Sequence, residues 1–177
     1  MSKVNFKVNM QVRFLEINER TLGKPPGASH GRSGAPWKLL ARCEGSTADS
    51  CVLIAHLKEM GSANKEDGKS ALSALSKLIN VAATGQPIEN FYDSKQSHLL
   101  HEFVYKQRNR VVWRIRKGDV RIAFYYAEDK IIFLADVFAK RKDKLTKGEK
   151  KQLEDEVKAY IDAEDDQQLV VISQQGE

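Results

Sequence analysis

Between about Phe103 and Phe138 the chain repeats one pattern, in which short runs alternate apolar with polar or charged residues and end in a tight turn. The runs extend from Phe103 or Val111 to Arg116, from Val120 to Tyr126, and from Lys130 to Phe138. Lys117-Gly118-Asp119 and Glu128-Asp129 separate them. Connections this short join only antiparallel neighbours, because a parallel crossover needs a dozen residues or more. The segment therefore has to be a three-stranded antiparallel meander.

The remaining elements are arranged around it. "VNFKVNMQVRF" alternates Val4, Phe6, Val8, Met10, Val12 and Phe14 with polar residues, the pattern of a half-buried strand. "GKPPGASHGRSGAPW" reads as a long loop, and "WKLLARCE" as a second strand after it. "SCVLIAHLKEM" fits a short helix or a strand equally well. Leu72, Leu75, Leu78, Ile79 and Ala82 recur at helical spacing and predict a helix from about Lys69 to Thr84, ended by Gly85 and Pro87. "TKGE" is a capping box that starts a last helix at Thr146, with Leu153, Val157, Tyr160 and Ile161 as its docking stripe. "QLVVIS" has room for a short edge strand.

This order predicts an α+β domain: a small antiparallel sheet of about four to five strands, helices packed on one face, and the other face partly open. The expected division is an N-terminal extension over 1–35, a folded domain over 36–163 and an acidic tail over 164–177.

Charge is unevenly distributed. Lys106 to Lys151 holds fifteen Lys or Arg against six Asp or Glu, a local +9. Gln152 to Glu177 holds one Lys against eight acids, a local −7. A basic middle points to a polyanionic partner, although a solvated surface with complementary ends has the same composition. The tail would then be an internal competitor for the basic surface. No apolar run approaches the roughly 18 residues of a membrane span, and "MSKVNFKVNM" lacks the apolar core of a signal peptide, so the expected setting is cytoplasmic, without a membrane partner. Cys43 and Cys51 lack CxxC spacing and nearby histidines, which predicts free buried thiols rather than a zinc site.

Read by face, the meander carries its own functional signal. Side chains alternate along a strand, so Arg114 and Arg116 share one side while Trp113 and Ile115 take the other. In the next strand Arg121, Ala123 and Tyr125 share a side. The arginines of two neighbouring strands can therefore converge with Tyr125 beside them. A planar guanidinium fork suits phosphate and stays charged at every relevant pH, but solvating the outer face of a sheet would need no more. The third strand runs into "AKRKDK", which brings Lys140, Arg141, Lys142 and Lys144 toward the start of the second strand.

The pattern "WRIRKGDVRIAFYY", then "KIIFLADVFAKRKDKLTKGE" and a closing helix, resembles the C-terminal half of the RelE/ParE superfamily of toxins from type II toxin-antitoxin systems, closest to its HigB-like, phage-derived branch. The resemblance covers about Ala71 to Ile161 and is strongest from Val111 to Glu149. Residues 1–35 have no counterpart in it.

The resemblance implies a RelE-like fold and a ribosome-dependent mRNA endonuclease that inhibits translation, held in check by a cognate antitoxin. The ribosome and mRNA would be its other partners. The reaction it implies is attack of a ribose 2′-OH on the adjacent phosphate, with no metal and no cofactor. Carried over, Arg121 would hold the scissile phosphate, Arg141 would stabilise the transition state with help from Lys140, and Arg114 would contact phosphate or help activate the hydroxyl. Tyr125 would orient a base. Arg116, Lys142 and Lys144 would add RNA contacts. Arginine is a poor general base, so that role is open among His98, His101, a lysine of depressed pKa and a tyrosine; the chain has no histidine after the hairpin. A ParE-like gyrase poison and a noncatalytic RNA- or protein-binding module are the alternative functions.

Overall fold

The computed structural model describes residues 11–24, 34–140 and 144–172. Its elements are β1 (Arg13–Glu16), β2 (Lys38–Cys43), α1 (Val52–Ala63), α2 (Lys65–Ala83), β3 (Ser97–Tyr105), β4 (Arg108–Lys117), β5 (Val120–Tyr126), β6 (Ile131–Ala139), α3 (Lys147–Asp165) and β7 (Val170–Ile172). The strands form a single sheet in the order β3-β4-β5-β6-β2-β1-β7. Pairing from β3 through β6 is antiparallel, as is β1 with β2. β2 runs parallel to β6, and β7 parallel to β1.

The expected small antiparallel sheet of four to five strands is therefore wrong. The sheet is mixed and seven-stranded among the described residues. Two non-local parallel pairings enlarge it, and no local periodicity announces such pairings. A further strand, β3, lies where the sequence reading placed a connector. Its turn to β4 is Lys106-Gln107, with φ of 50° and 62°. Two successive residues at positive φ make a hairpin turn that normally calls for Asn or Gly, so the residue types hid the hairpin. A register shift between Leu99 and His101 also breaks its alternation.

The helices do not share one face. Leu53, Leu57 and Met60 of α1 and Leu75, Leu78 and Ile79 of α2 pack with Leu15, Ile122, Phe124 and Leu134 on one side. Leu153, Val157, Tyr160 and Ile161 of α3 pack with Phe14, Ala123, Tyr125 and Phe133 on the other. The face expected to stay partly open is thus largely roofed by α3. For the same reason β1 is not half-buried: adjacent Phe14 and Leu15 are both enclosed, at 0% and 1% exposure. Residues Val4 to Met10 of the predicted first strand lie outside the described residues.

Local signals explain the helices. "SCVLIAHLKEM" resolves as a helix. α2 begins four residues before its expected start because the Asn64 side chain accepts hydrogen bonds from the amides of Glu66 and Asp67. Its end comes where expected, with Gly85 at φ +72° just beyond. Leu72, one of the residues recurring at that helical spacing, is 47% exposed, while Leu75, Leu78, Ile79 and Ala82 are buried. The Thr146 capping box forms as read, with both reciprocal hydrogen bonds present.

α1 and α2 cross at Gly61 and Gly68, where a Cβ on Gly68 would lie 2.7 Å from the Cα of Gly61. Exchanging a mid-helix glycine for alanine ordinarily adds about 1 kcal/mol of stability. Here the added methyl meets backbone, so Gly68→Ala should instead cost about 1–3 kcal/mol of overpacking. Urea denaturation of the two proteins measures this, and a raised midpoint would show that the helices separate without cost.

Candidate functional site

The β4–β5 hairpin turns through Gly118, at φ +57°, and Asp119. Register then fixes which side chains meet. Arg116 pairs with Arg121 and Arg114 with Ala123. On the outer side His98 of β3 pairs with Arg114, and on the inner side Arg121 pairs with Phe138. Directly paired residues share a face. His98, Arg114, Arg116 and Arg121 therefore stand together around the small side chain of Ala123, on the face that α3 covers further along.

β6 leaves the sheet over this hairpin. Ala139 pairs with Val120, and the Lys140 amide donates to the Asp119 carbonyl at 2.8 Å. Lys140 is thus at the same end as the arginines, and Lys144 is exposed just before α3. Arg141 and Lys142 lie outside the described residues.

Arg121 is the unusual member. Only 6% of it is exposed. Its Nη1 donates to the carbonyls of Gly118 and Val120 at 2.8 and 3.1 Å, while its buried Nε has no hydrogen-bond partner. Burial lowers its pKa, and Arg114 and Arg116 lower it further; Asp119 opposes them as the smallest contribution. Arg114 is lowered for the same reasons, burial first and then Arg116. Among the described residues no carboxylate forms a salt bridge with any of the three. Like charges collected without a salt-bridged carboxylate among the described residues, and with Asp119 only a minor influence, form a site that an anion would stabilise.

Elsewhere on this face α3 supplies the acids. Glu156 takes a bidentate grip on Arg42 at 2.7 and 2.8 Å. Asp162 accepts from the Tyr105 hydroxyl at 2.7 Å, and Asp162 and Asp165 pair with Lys106 at 2.9 and 2.8 Å. The first turn of α3 contains Lys147, Lys150 and Lys151 with Glu149, which is used by the cap. The helix neutralises the far part of the sheet and leaves the hairpin end cationic.

Two expected site residues fall elsewhere. His101 Nε2 is 2.7 Å from Glu154 Oε1, a contact that docks α3 rather than opening toward the arginines. Tyr125 is buried beneath α3, with its hydroxyl accepting from Arg110 at 3.0 Å and its ring near Tyr160. It is not positioned to meet a base. His98 remains exposed, with Nδ1 2.5 Å from the Leu99 carbonyl. That contact makes Nδ1 the donor, so in the neutral ring Nε2 carries the free lone pair.

The sequence reading missed two further features. Asp136 follows a register shift in the β5–β6 pairing and lies 2.6 Å from His56 Nδ1, beside a cavity of about 600 Å³ that Glu59, Asp67 and Gln152 also line. A cleft of about 450 Å³ between α1 and α2 is lined by Leu22, Ile54, Leu57 and Leu72 with Lys58, Lys65 and Lys69. Neither has a motif in the sequence, because each joins residues from separate elements. Among the described residues no group of three His, Cys, Asp or Glu side chains is placed to hold a metal ion, and no helix is long and apolar enough to cross a membrane. Compared with protein-family models, curated proteins and solved structures, the chain matches none.

The His101–Glu154 contact has a pH signature. Glu154 is held below the ordinary carboxylate range chiefly by the hydrogen bond from His101, against a smaller effect of burial and with help from Lys158. A depressed carboxylate contributes stability that is complete above its unfolded pKa of about 4.3 and disappears as pH falls through the lower folded value. Glu154→Gln should flatten this part of the acid limb. Urea midpoints followed from about pH 6 to about pH 3 test it, and parallel curves for the two proteins would remove His101 as the anchor.

Proposed function

We propose that the chain is an endoribonuclease toxin of a type II toxin-antitoxin system, whose cationic hairpin end grips mRNA for cleavage on the ribosome. The observation that carries this reading is the buried Arg121 guanidinium, with its unpartnered Nε, beside Arg114 and Arg116 and without a carboxylate salt bridge among the described residues. A phosphodiester would give these groups the anion they lack, and single-stranded RNA presents such anions in series.

In this reading His98 Nε2 removes the proton from a ribose 2′-OH. The resulting oxygen nucleophile attacks the adjacent phosphorus in line, forming a 2′,3′-cyclic phosphate. The bond to the 5′-oxygen breaks, and that oxygen takes a proton from solvent, to which the His98 imidazolium afterwards returns the one it removed. Arg121 and Arg114 hold the nonbridging oxygens and stabilise the charge that builds on them, an effect strongest where water is excluded. Arg116, Lys140 and Lys144 bind flanking phosphates, and Arg141 and Lys142 follow in the same basic run.

A second reading, an RNA-binding module that does not cut, is favoured by one feature. Among the described residues His98 has no side-chain partner to orient it, only the Leu99 carbonyl.

Induced expression of wild type, Arg121→Ala and His98→Ala, with growth and mRNA 5′ ends scored, separates the two. Wild type should arrest growth and generate new 5′ ends. His98→Ala should retain RNA binding but lose cleavage by about 10²–10⁴-fold. Arg121→Ala should lose both while remaining folded by circular dichroism. Binding without cleavage in wild type would select the module, and RNA affinity unchanged in folded Arg121→Ala would end both readings. For single-stranded RNA, Arg116→Ala should also reduce the slope of log affinity against log salt by about 0.7.

A further inference from the structure

Cys43 closes β2 and Cys51 caps α1, with the seven residues 44–50 looping between them. Backbone pairing brings them back together as an isolated antiparallel bridge. The Glu44 amide donates to the Ser50 carbonyl at 3.0 Å. A hydrogen bond just inside the Cys43–Cys51 pair makes it the non-hydrogen-bonded kind, in which opposed Cα atoms lie about 4.5 Å apart and side chains approach most closely. Disulfides span Cα separations of about 4.4–6.8 Å, so a pair of this kind falls within the range that a disulfide bridges. The two thiols are also close enough to influence each other's titration, with Cys51 raising the Cys43 thiol. Both are free and buried, at 4% and 0% exposure.

We propose that Cys43 and Cys51 are an oxidisable dithiol, a modification site at which a small disulfide or diazene oxidant installs a reversible bond pinning the end of β2 to the start of α1. This site lies in the α1–α2 core and is independent of the RNA reading. With a disulfide oxidant the step balances as follows. One cysteine loses its proton, attacks a sulfur of the reagent and expels a thiolate. The other cysteine loses its proton and attacks the mixed disulfide, expelling a second thiolate. Two thiols are oxidised, one external disulfide is reduced to two thiols, and the two protons pass to the leaving groups. With a diazene the first thiolate adds to one nitrogen of the N=N bond and a proton goes to the other; the second thiolate then attacks the bound sulfur and expels that nitrogen, which takes the second proton, so the diazene is reduced to a hydrazine.

Burial controls the rate. It pushes the Cys43 thiol up to about 11 and raises Cys51 as well. The attacking thiolate is therefore scarce at neutral pH, and oxidation should accelerate as pH rises. Arg42 favours the thiolate in both cases, as a minor influence; Ser50 does so at Cys43, and the Leu53 and Ile54 amides at Cys51. The bond would close a loop of about nine residues, removing freedom from the unfolded chain. That corresponds to a rise of about 5–10 °C in Tm.

The test uses the purified full chain treated with oxidised glutathione or diamide at about pH 8.5, above neutrality so that thiolate is present. The chain is then unfolded and alkylated with N-ethylmaleimide under nonreducing conditions. The expected product is a monomer about 2 Da lighter than the reduced chain that accepts no maleimide, reverts with dithiothreitol, and melts at higher temperature. The reduced chain should take up two maleimides, one for each of its two cysteines. Three results would overturn the proposal: glutathione adducts on both thiols without an internal bond, covalent dimers as the main oxidised species, or a folded chain that keeps both thiols under oxidant that consumes them in urea. Cys43→Ser and Cys51→Ser are the controls, and neither should give the lighter monomer.

Discussion

β5 is enclosed on both sides, and the rest of the structure is arranged around that constraint. All six residues from Val120 to Tyr125 are buried, so the strand cannot alternate inside with outside as an open sheet would. One of the six is Arg121. A guanidinium taken out of water must be given partners or leave a large desolvation cost uncompensated. Here two carbonyls of its own hairpin satisfy one nitrogen, and the buried Nε is left over. The sheet that isolates this cation also isolates the surface where an anion would be held most strongly.

Helix α3 determines how much of the face is available. Its apolar stripe covers Phe14, Phe133 and Tyr125, with Phe133 and Tyr160 stacked at 4.9 Å and Phe14 edge-on to both. Its acids pair with Arg42, His101 and Lys106. Helix and sheet therefore dock by shape and charge together over most of the face. At the hairpin end α3 starts with Lys147 and Lys150, and among the described residues none of its acids forms a salt bridge with Arg114, Arg116 or Arg121. The Thr146 cap fixes where this helix begins, on the Lys144 side of the sheet.

The opposite face is stabilised differently. α1 and α2 approach closely because glycines meet at their crossing, and the β2–α1 junction brings two thiols together in a dry core. The arginine cluster lies on the α3 side of the sheet and the two thiols on the α1–α2 side. The dithiol and the cationic end are joined through the parallel β2–β6 pairing and through α1, whose His56 meets Asp136 of β6 at 2.6 Å.

Local pattern in the sequence was enough for β4, β5 and β6, for α2 and for α3 with its capping box, because alternation, helical spacing and cap chemistry act within a few residues. It also placed Arg114, Arg116 and Arg121 on a common face. It did not reveal β3, whose Lys106-Gln107 turn carries no turn residues, or the parallel partners of β1 and β2, which are distant in the chain. Nor did it show that Tyr125 is roofed over and His101 is taken by Glu154, since both depend on which face α3 covers. That choice was made by burial summed over the whole sheet: seven strands with apolar residues on both sides need helices on both sides, and no short window of residues contains that requirement.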